Sequence, residues 1–133
     1  MVDSIFTKII KGEIPCYRIA EDERYLAILD VFPLVKGHTL VIPKKQVDYI
    51  FDLETEDYIG LQLFAKKIAV AVEKFIPCTR ISVAVIGLEV PHTHIHLIPI
   101  NEMRDCNFSN PKQKFPPAEM ERIAEGIKAN VAL

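Results

Sequence analysis

Between Thr55 and Ile76 the apolar residues Leu61, Phe64, Ala65, Ile68, Ala69, Val72, Phe75 and Ile76 recur at i, i+3, i+4 spacing. Gln62, Lys66, Lys67, Glu73 and Lys74 take the opposite side. This is the period of a helix, and a stripe that long must be buried against another layer. Thr55, followed by Glu56 and Asp57, starts the helix with a cap and two acids matched to its dipole, and Pro77 stops it. The spacing predicts a helix over 55–76 lying on one face of a sheet.

The strands for that sheet are legible around the helix. In "CYRIAEDERYLAILD" two short strands flank the polar turn Glu21 to Arg24, and Tyr25 to Leu29 is apolar enough to be central; Asp30 ends it. After a loop from Phe32 to Gly37, His38 to Pro43 is a further strand, closed by a proline that cannot donate to a ladder. Arg80 to Gly87 and His92 to Ile100 read as two more strands, joined tightly through Leu88 to Pro91 and therefore antiparallel. Ser4 to Ile10 is a short helix capped by Asp3 or Ser4 and ended at Gly12. Pro117 to Asn130 is a last helix with Met120, Ile123, Ala124 and Ile127 on one face. Asn107 to Pro117, with three prolines, reads as loop. Helices gathered around a mainly antiparallel sheet make an α+β fold, expected as one domain over 1–133.

The chain's 133 residues, half of them hydrophobic, suffice for a single core. A net charge of -2 leaves no global basic field for nucleic acid or an anionic membrane, so any anionic ligand must be held locally. Apolar runs fall far short of the roughly 20 residues that cross a bilayer. The start, with Asp3 and Lys8, lacks the uninterrupted apolar segment of an export signal. Cys16, Cys78 and Cys106 are odd in number and form no C-x-x-C pair, against a disulfide framework. A reducing, cytoplasmic setting is expected, with these cysteines as small packing residues.

The segment "VPHTHIHLIPI" holds three of the four histidines, His92, His94 and His96, on alternate positions. On a strand they project together while Thr93, Ile95 and Leu97 take the other face, and successive imidazoles stand about 7 Å apart. Zinc needs nitrogens about 2.0–2.1 Å away, so three rings of one strand cannot converge on one ion. Two could do so with a third ligand from elsewhere, but His38 is the only spare histidine and no acid on the same alternation completes a set. No metal or other cofactor is expected. Phosphate suits the spacing better: neutral imidazole is a nucleophile near neutral pH, and its neighbours can orient it or bind non-bridging oxygens. The central His94 is the natural nucleophile.

At these residues the chain resembles the histidine triad family, whose signature is His-φ-His-φ-His-φ-φ with φ apolar. Here it reads His92-Thr93-His94-Ile95-His96-Leu97-Ile98, followed by Pro99. "IFTKIIKGEIP" is similar to the family's N-terminal helix and "YLAILDVFPLVKGHTLVIPKK" to its central hairpin, so the likeness covers about residues 3–103 and leaves 104–133 as an extension. The resemblance implies a homodimer with a five-stranded antiparallel sheet per subunit. It also implies binding of purine nucleotides and nucleotidyl transfer or hydrolysis at the α-phosphate, as in a phosphoramidase. By the same likeness His94 matches the nucleophile that forms a nucleotidyl-histidine, His96 a phosphate contact, His92 a support of the nucleophile, and His38 an additional histidine near the site. Asp30 matches the acid that receives the ribose hydroxyls. Ile28 and Val31 match the base pocket, with Phe6 and Ile14 as further wall candidates.

The departures are local. Where many members carry Asn on the strand before the triad and a loop ending Gly-Gln-Ser, this chain has Val85 and the shorter Gly87-Leu88-Glu89-Val90-Pro91. Glu89 thus stands where a serine would meet phosphate, and a carboxylate there repels phosphate unless it faces a histidine. Zinc-bearing bacterial members have Cys-x-x-Cys in the first helix and His after a Lys-Lys pair. Here Ser4, Thr7 and Gln46 stand instead, so no structural zinc is expected. Lys44 and Lys45 read as a solvated pair at a strand end. The expected function is a nucleotidyl hydrolase acting through His94, with a low-turnover purine-nucleotide sensor or scaffold as the alternative.

Overall fold

A computed structural model describes residues 2–133. Five strands, β1 (Arg18–Glu21), β2 (Tyr25–Leu29), β3 (Thr39–Pro43), β4 (Arg80–Ala84) and β5 (Ile95–Ile100), form one antiparallel sheet in the order β1-β2-β3-β5-β4. Helices α1 (Ile5–Ile10), α2 (Thr55–Phe75) and α3 (Pro117–Lys128) cover it. The β1–β2 turn is held by Asp22, whose Oδ1 accepts from the backbone N–H groups of Arg24 and Tyr25, both at 2.8 Å.

Alternation along the strands sorts the sheet into two unlike faces. Tyr25, Ala27, Leu29, Val41, Ile95 and Leu97 point to the side covered by α2 and α3, where they join Leu61, Phe64, Ile68, Val72, Met120, Ile123 and Ile127 in the main core. Leu26, Ile28, Leu40 and Ile42 point the other way and meet Phe6 and Ile9 of α1 in a smaller cluster. With both faces covered, β2 and β3 are buried at every position, which is why their sequences read as continuous apolar runs.

The 104–133 extension divides in two. Its second half closes the main core: α3 lays the predicted face of Met120, Ile123, Ala124 and Ile127 against α2 and β1. The helices approach so closely at Gly126 that a Cβ there would collide with the Phe75 ring. Its first half, a 3-10 turn over Met103–Cys106 and the loop after it, returns to the opposite side of the sheet.

The two expected boundaries that move furthest flank the connection between β4 and β5. β4 ends at Ala84 instead of Gly87, and β5 starts at Ile95 instead of His92, so the connection is not tight but runs over 85–94. The backbone explains it: Gly87 takes a positive φ of 70°, Pro91 has no N–H, the His92 N–H goes to Val90 O, and the Thr93 N–H goes to Val47 O. These donors are spent before they can reach a ladder, and His92 and His94 sit on a bent approach to the strand.

Candidate active site

A cavity of about 470 Å³ opens on the α1 face of the sheet. Phe6, Ile14, Ile28 and Leu40 form its apolar walls, Asp30, His38, His94 and His96 its polar floor, and Val31 and Glu89 lie at exposed points of its lining. Gly37, at φ 89° and close against Ile76, makes the turn that delivers His38 to β3. Asp30 is half-buried, its Oδ1 accepting from the Phe32 N–H at 2.9 Å.

The hydrogen bonds assign the ring tautomers. The Leu34 N–H donates to His38 Nδ1 at 3.0 Å, so the single proton of a neutral His38 sits on Nε2. That proton is donated to His96 Nδ1 at 2.9 Å, which leaves His96 with an N–H on Nε2. His94 Nδ1 lies 2.7 Å from the His92 carbonyl, an oxygen that can only accept, so Nδ1 carries the proton and Nε2 keeps its lone pair. Burial, aided by the nearby Lys112 cation and His94, pushes His38 down to about 4. Burial, with His38, His94 and the Lys112 cation nearby, pushes His96 down to about 3. Both are neutral at pH 7, and the 3.6 Å approach of Asp30 to His38 is therefore not an ion pair.

His94 and His96 share the cavity with ring centroids 4.9 Å apart, and Phe6 meets His94 edge-on at the same separation. The ring of His92 lies apart from them. It is wholly buried, its Nε2–H donating to Pro43 O at 2.7 Å and its Nδ1 accepting from the Ser4 hydroxyl at 2.6 Å. What touches His94 is the main-chain carbonyl of His92, not its imidazole. Ser4 Oγ in turn accepts from the Thr7 N–H at 3.0 Å, and Gln46 Oε1 accepts from the Thr7 hydroxyl at 2.6 Å and the Ser4 N–H at 2.9 Å. Ser4, Thr7, Gln46 and His92 thus form a closed polar clasp between α1 and the triad. Its hydroxyls and amide are not the thiolates and imidazoles that hold zinc, and their hydrogen bonds are already made, so the clasp does not fit a zinc ion.

A second potential ligand group, Asp30, His38 and His96, has donor atoms within 4.8 Å of one another. It fits a cation no better. Nδ1 of His38 faces a backbone N–H and must keep its lone pair, so Nε2 holds the proton that a metal would have to replace.

Of the residues singled out from sequence, Phe6, Ile14, Ile28, Asp30, Val31, His38, Glu89, His94 and His96 line the one cavity, and His92 stands behind it. Among the lining residues that the sequence did not single out are Leu40, Phe108, whose ring packs edge-on over His96 at 4.9 Å and over His38 at 6.2 Å, and Lys112. Phe108 and Lys112 lie in the proline-flanked loop, where no periodicity marks a side chain as inward.

The model described as HIT domain matches residues 11–103. Adenosine 5′-monophosphoramidase hnt1 of Schizosaccharomyces pombe is 33% identical over 130 residues, 96% of this chain and 97% of that protein. Adenylylsulfatase HINT3 of Arabidopsis thaliana is 36% identical over 130 residues, 94% of this chain and 66% of that protein. A crystal structure of a Hit-like protein from Bartonella henselae superposes with a TM-score of 0.84 at 34% identity, covering 97% of this chain and 96% of that one.

Proposed function

From the premise that this chain belongs to the HIT family, we propose that it is a purine-nucleotide hydrolase. It acts at the α-phosphate through a covalent nucleotidyl-His94 and accepts phosphoramidates among its substrates. The observation that carries this reading is the bond from His94 Nδ1 to the His92 carbonyl, because it leaves the Nε2 lone pair free at a cavity with a hydrogen-bond donor beside it. The named activities of the yeast and plant relatives both fall on a nucleotide, and that supports the substrate class.

In the proposed sequence, the Nε2 lone pair attacks the α-phosphorus and the bond to the leaving group breaks with its electron pair, an amine leaving group taking up a proton from solvent as it departs. The Nδ1–H stays on the His92 carbonyl, where it disperses the positive charge of the nucleotidyl-imidazolium. The His96 Nε2–H donates to a non-bridging oxygen. Water then attacks phosphorus, the P–N pair returns to Nε2, and one proton leaves to solvent with the nucleoside monophosphate. Asp30 accepts the ribose hydroxyls, while Ile28, Ile14, Phe6 and Val31 flank the base. No cofactor enters these steps.

Incubating wild type and His94→Ala with adenosine 5′-phosphoramidate tests this, with AMP release followed and adenylylated protein sought by mass. Loss of turnover in the variant by about 10⁴-fold or more is expected from removal of a covalent nucleophile. Equal release from both would remove the mechanism, and AMP binding without release by wild type would favour the sensor.

The family's homodimer is proposed for this chain as well. β4 is one of the two edge strands of the sheet, with Val83 exposed, and α2 beside it exposes Ile59, Leu63 and Val70 along one side, a strand edge and an apolar stripe suited to a second copy. A monomer at every concentration in sedimentation would overturn it. No helix among the described residues is long and apolar enough to cross a membrane, and a cytoplasmic place is proposed on the cysteine pattern alone.

A further inference from the structure

The cavity's charges are lopsided. Among the described residues its lining holds two carboxylates, Asp30 and Glu89, and a single cation, Lys112. That cation arrives from outside the triad's own strands, on the loop between β5 and α3. Its ammonium donates to the Phe108 carbonyl at 3.0 Å and lies 5.5 Å from the Phe108 ring centre, and the same ring packs over His96 and His38. The lysine, although exposed, is therefore tethered beside His96 and His38.

The histidine relay adds a second constraint. The Leu34 N–H, His38 and His96 are linked so that His96 offers a neutral N–H to the cavity, a good hydrogen-bond donor but a very weak acid. An amine leaving an α-phosphorus must gain a proton. An oxyanion of a strong acid needs none, only a positive charge to receive it.

Resting on the nucleotidyl-transfer reading of this pocket, we infer that Lys112 is a specificity residue holding the leaving group. It selects α-phosphates joined through oxygen to an anionic group such as sulfate or phosphate over those bearing an amine. When His94 Nε2 bonds to phosphorus, the P–O bond breaks with its pair on oxygen, and the departing oxyanion pairs with the Lys112 ammonium. No proton or redox partner is required.

The test compares kcat/KM of the full chain on adenosine 5′-phosphosulfate and adenosine 5′-phosphoramidate. In Lys112→Gln the ratio of phosphosulfate to phosphoramidate is expected to fall about tenfold or more, the effect of one lost charge-assisted hydrogen bond. Lys112→Arg should keep the ratio within about threefold, since the charge remains. A ratio unmoved in Lys112→Gln, or one that falls as far in the arginine variant, overturns the inference while His94 chemistry stands. Absence of turnover of either substrate by wild type overturns both. Lys112 is exposed, so the glutamine variant disturbs no core packing.

Discussion

The two faces of this sheet are made by alternate residues of the same strands, yet they are built on different terms. Toward α2 and α3, Ile95 and Leu97 of β5 enter an apolar core. Toward α1, the residue between them, His96, enters a chain of polar contacts running through His38 to the Leu34 backbone. One face takes its stability from area removed from water, and the other keeps His38 and His96 buried and neutral, with ring nitrogens open to the cavity, at some cost in stability. The contrast teaches that stability and chemistry are separable here by a single step along a strand.

The largest effect on that separation should come from Leu97→Ala. Truncating this buried side chain is expected to destabilise the protein by about 2–5 kcal/mol, read from urea unfolding, while the protein that remains folded keeps its KM. A KM raised severalfold in the folded fraction would mean that the two faces are coupled. Next is Ser4→Ala, which leaves the buried Nδ1 of His92 without a donor and uncaps α1. A loss of about 1–3 kcal/mol is expected, with Ser4→Thr recovering most of it. No change in stability would mean that the clasp is ornamental.

Acid should act on the polar face alone, and more gently. His38 and His96 have folded values lowered to about 4 and about 3, and His92 is lowered as well by burial. As pH falls below about 6.5 the unfolded chain takes up protons that the folded chain refuses. Their contribution to stability is thus fully present above that pH, is lost as pH falls through the window, and levels off below about 3. Urea midpoints should drop between pH 7 and pH 4.5, and His96→Asn should flatten that slope. An unchanged slope in the variant would assign the acid sensitivity to the carboxylates instead.

How far the sequence was readable follows the same division. The α2 stripe, the apolar β2 and β3 runs and the face of α3 were legible because they are local periodicities set by a helix or a strand. The shared face of His94 and His96 was legible too, but not that the His92 ring turns away from them or that β5 waits until Ile95, because the Thr93 N–H is captured by Val47, far back in the chain. The clasp joins Ser4 to His92 across 88 positions, and no local rule pairs a serine with a distant imidazole. Phe108 and Lys112 were invisible for the same reason: only the closed sheet brings a loop after β5 back across His96.

The bond from His94 Nδ1 to the oxygen of His92 has an evolutionary side. Every amino acid carries a main-chain carbonyl, so no single replacement at position 92 deletes the acceptor that places the neutral ring's proton on Nδ1 and turns the Nε2 lone pair to the cavity. Side chains around the cavity, and with them the identity of the leaving group, are free to drift from one descendant to the next. The readiness of the attacking nitrogen is inherited with the backbone.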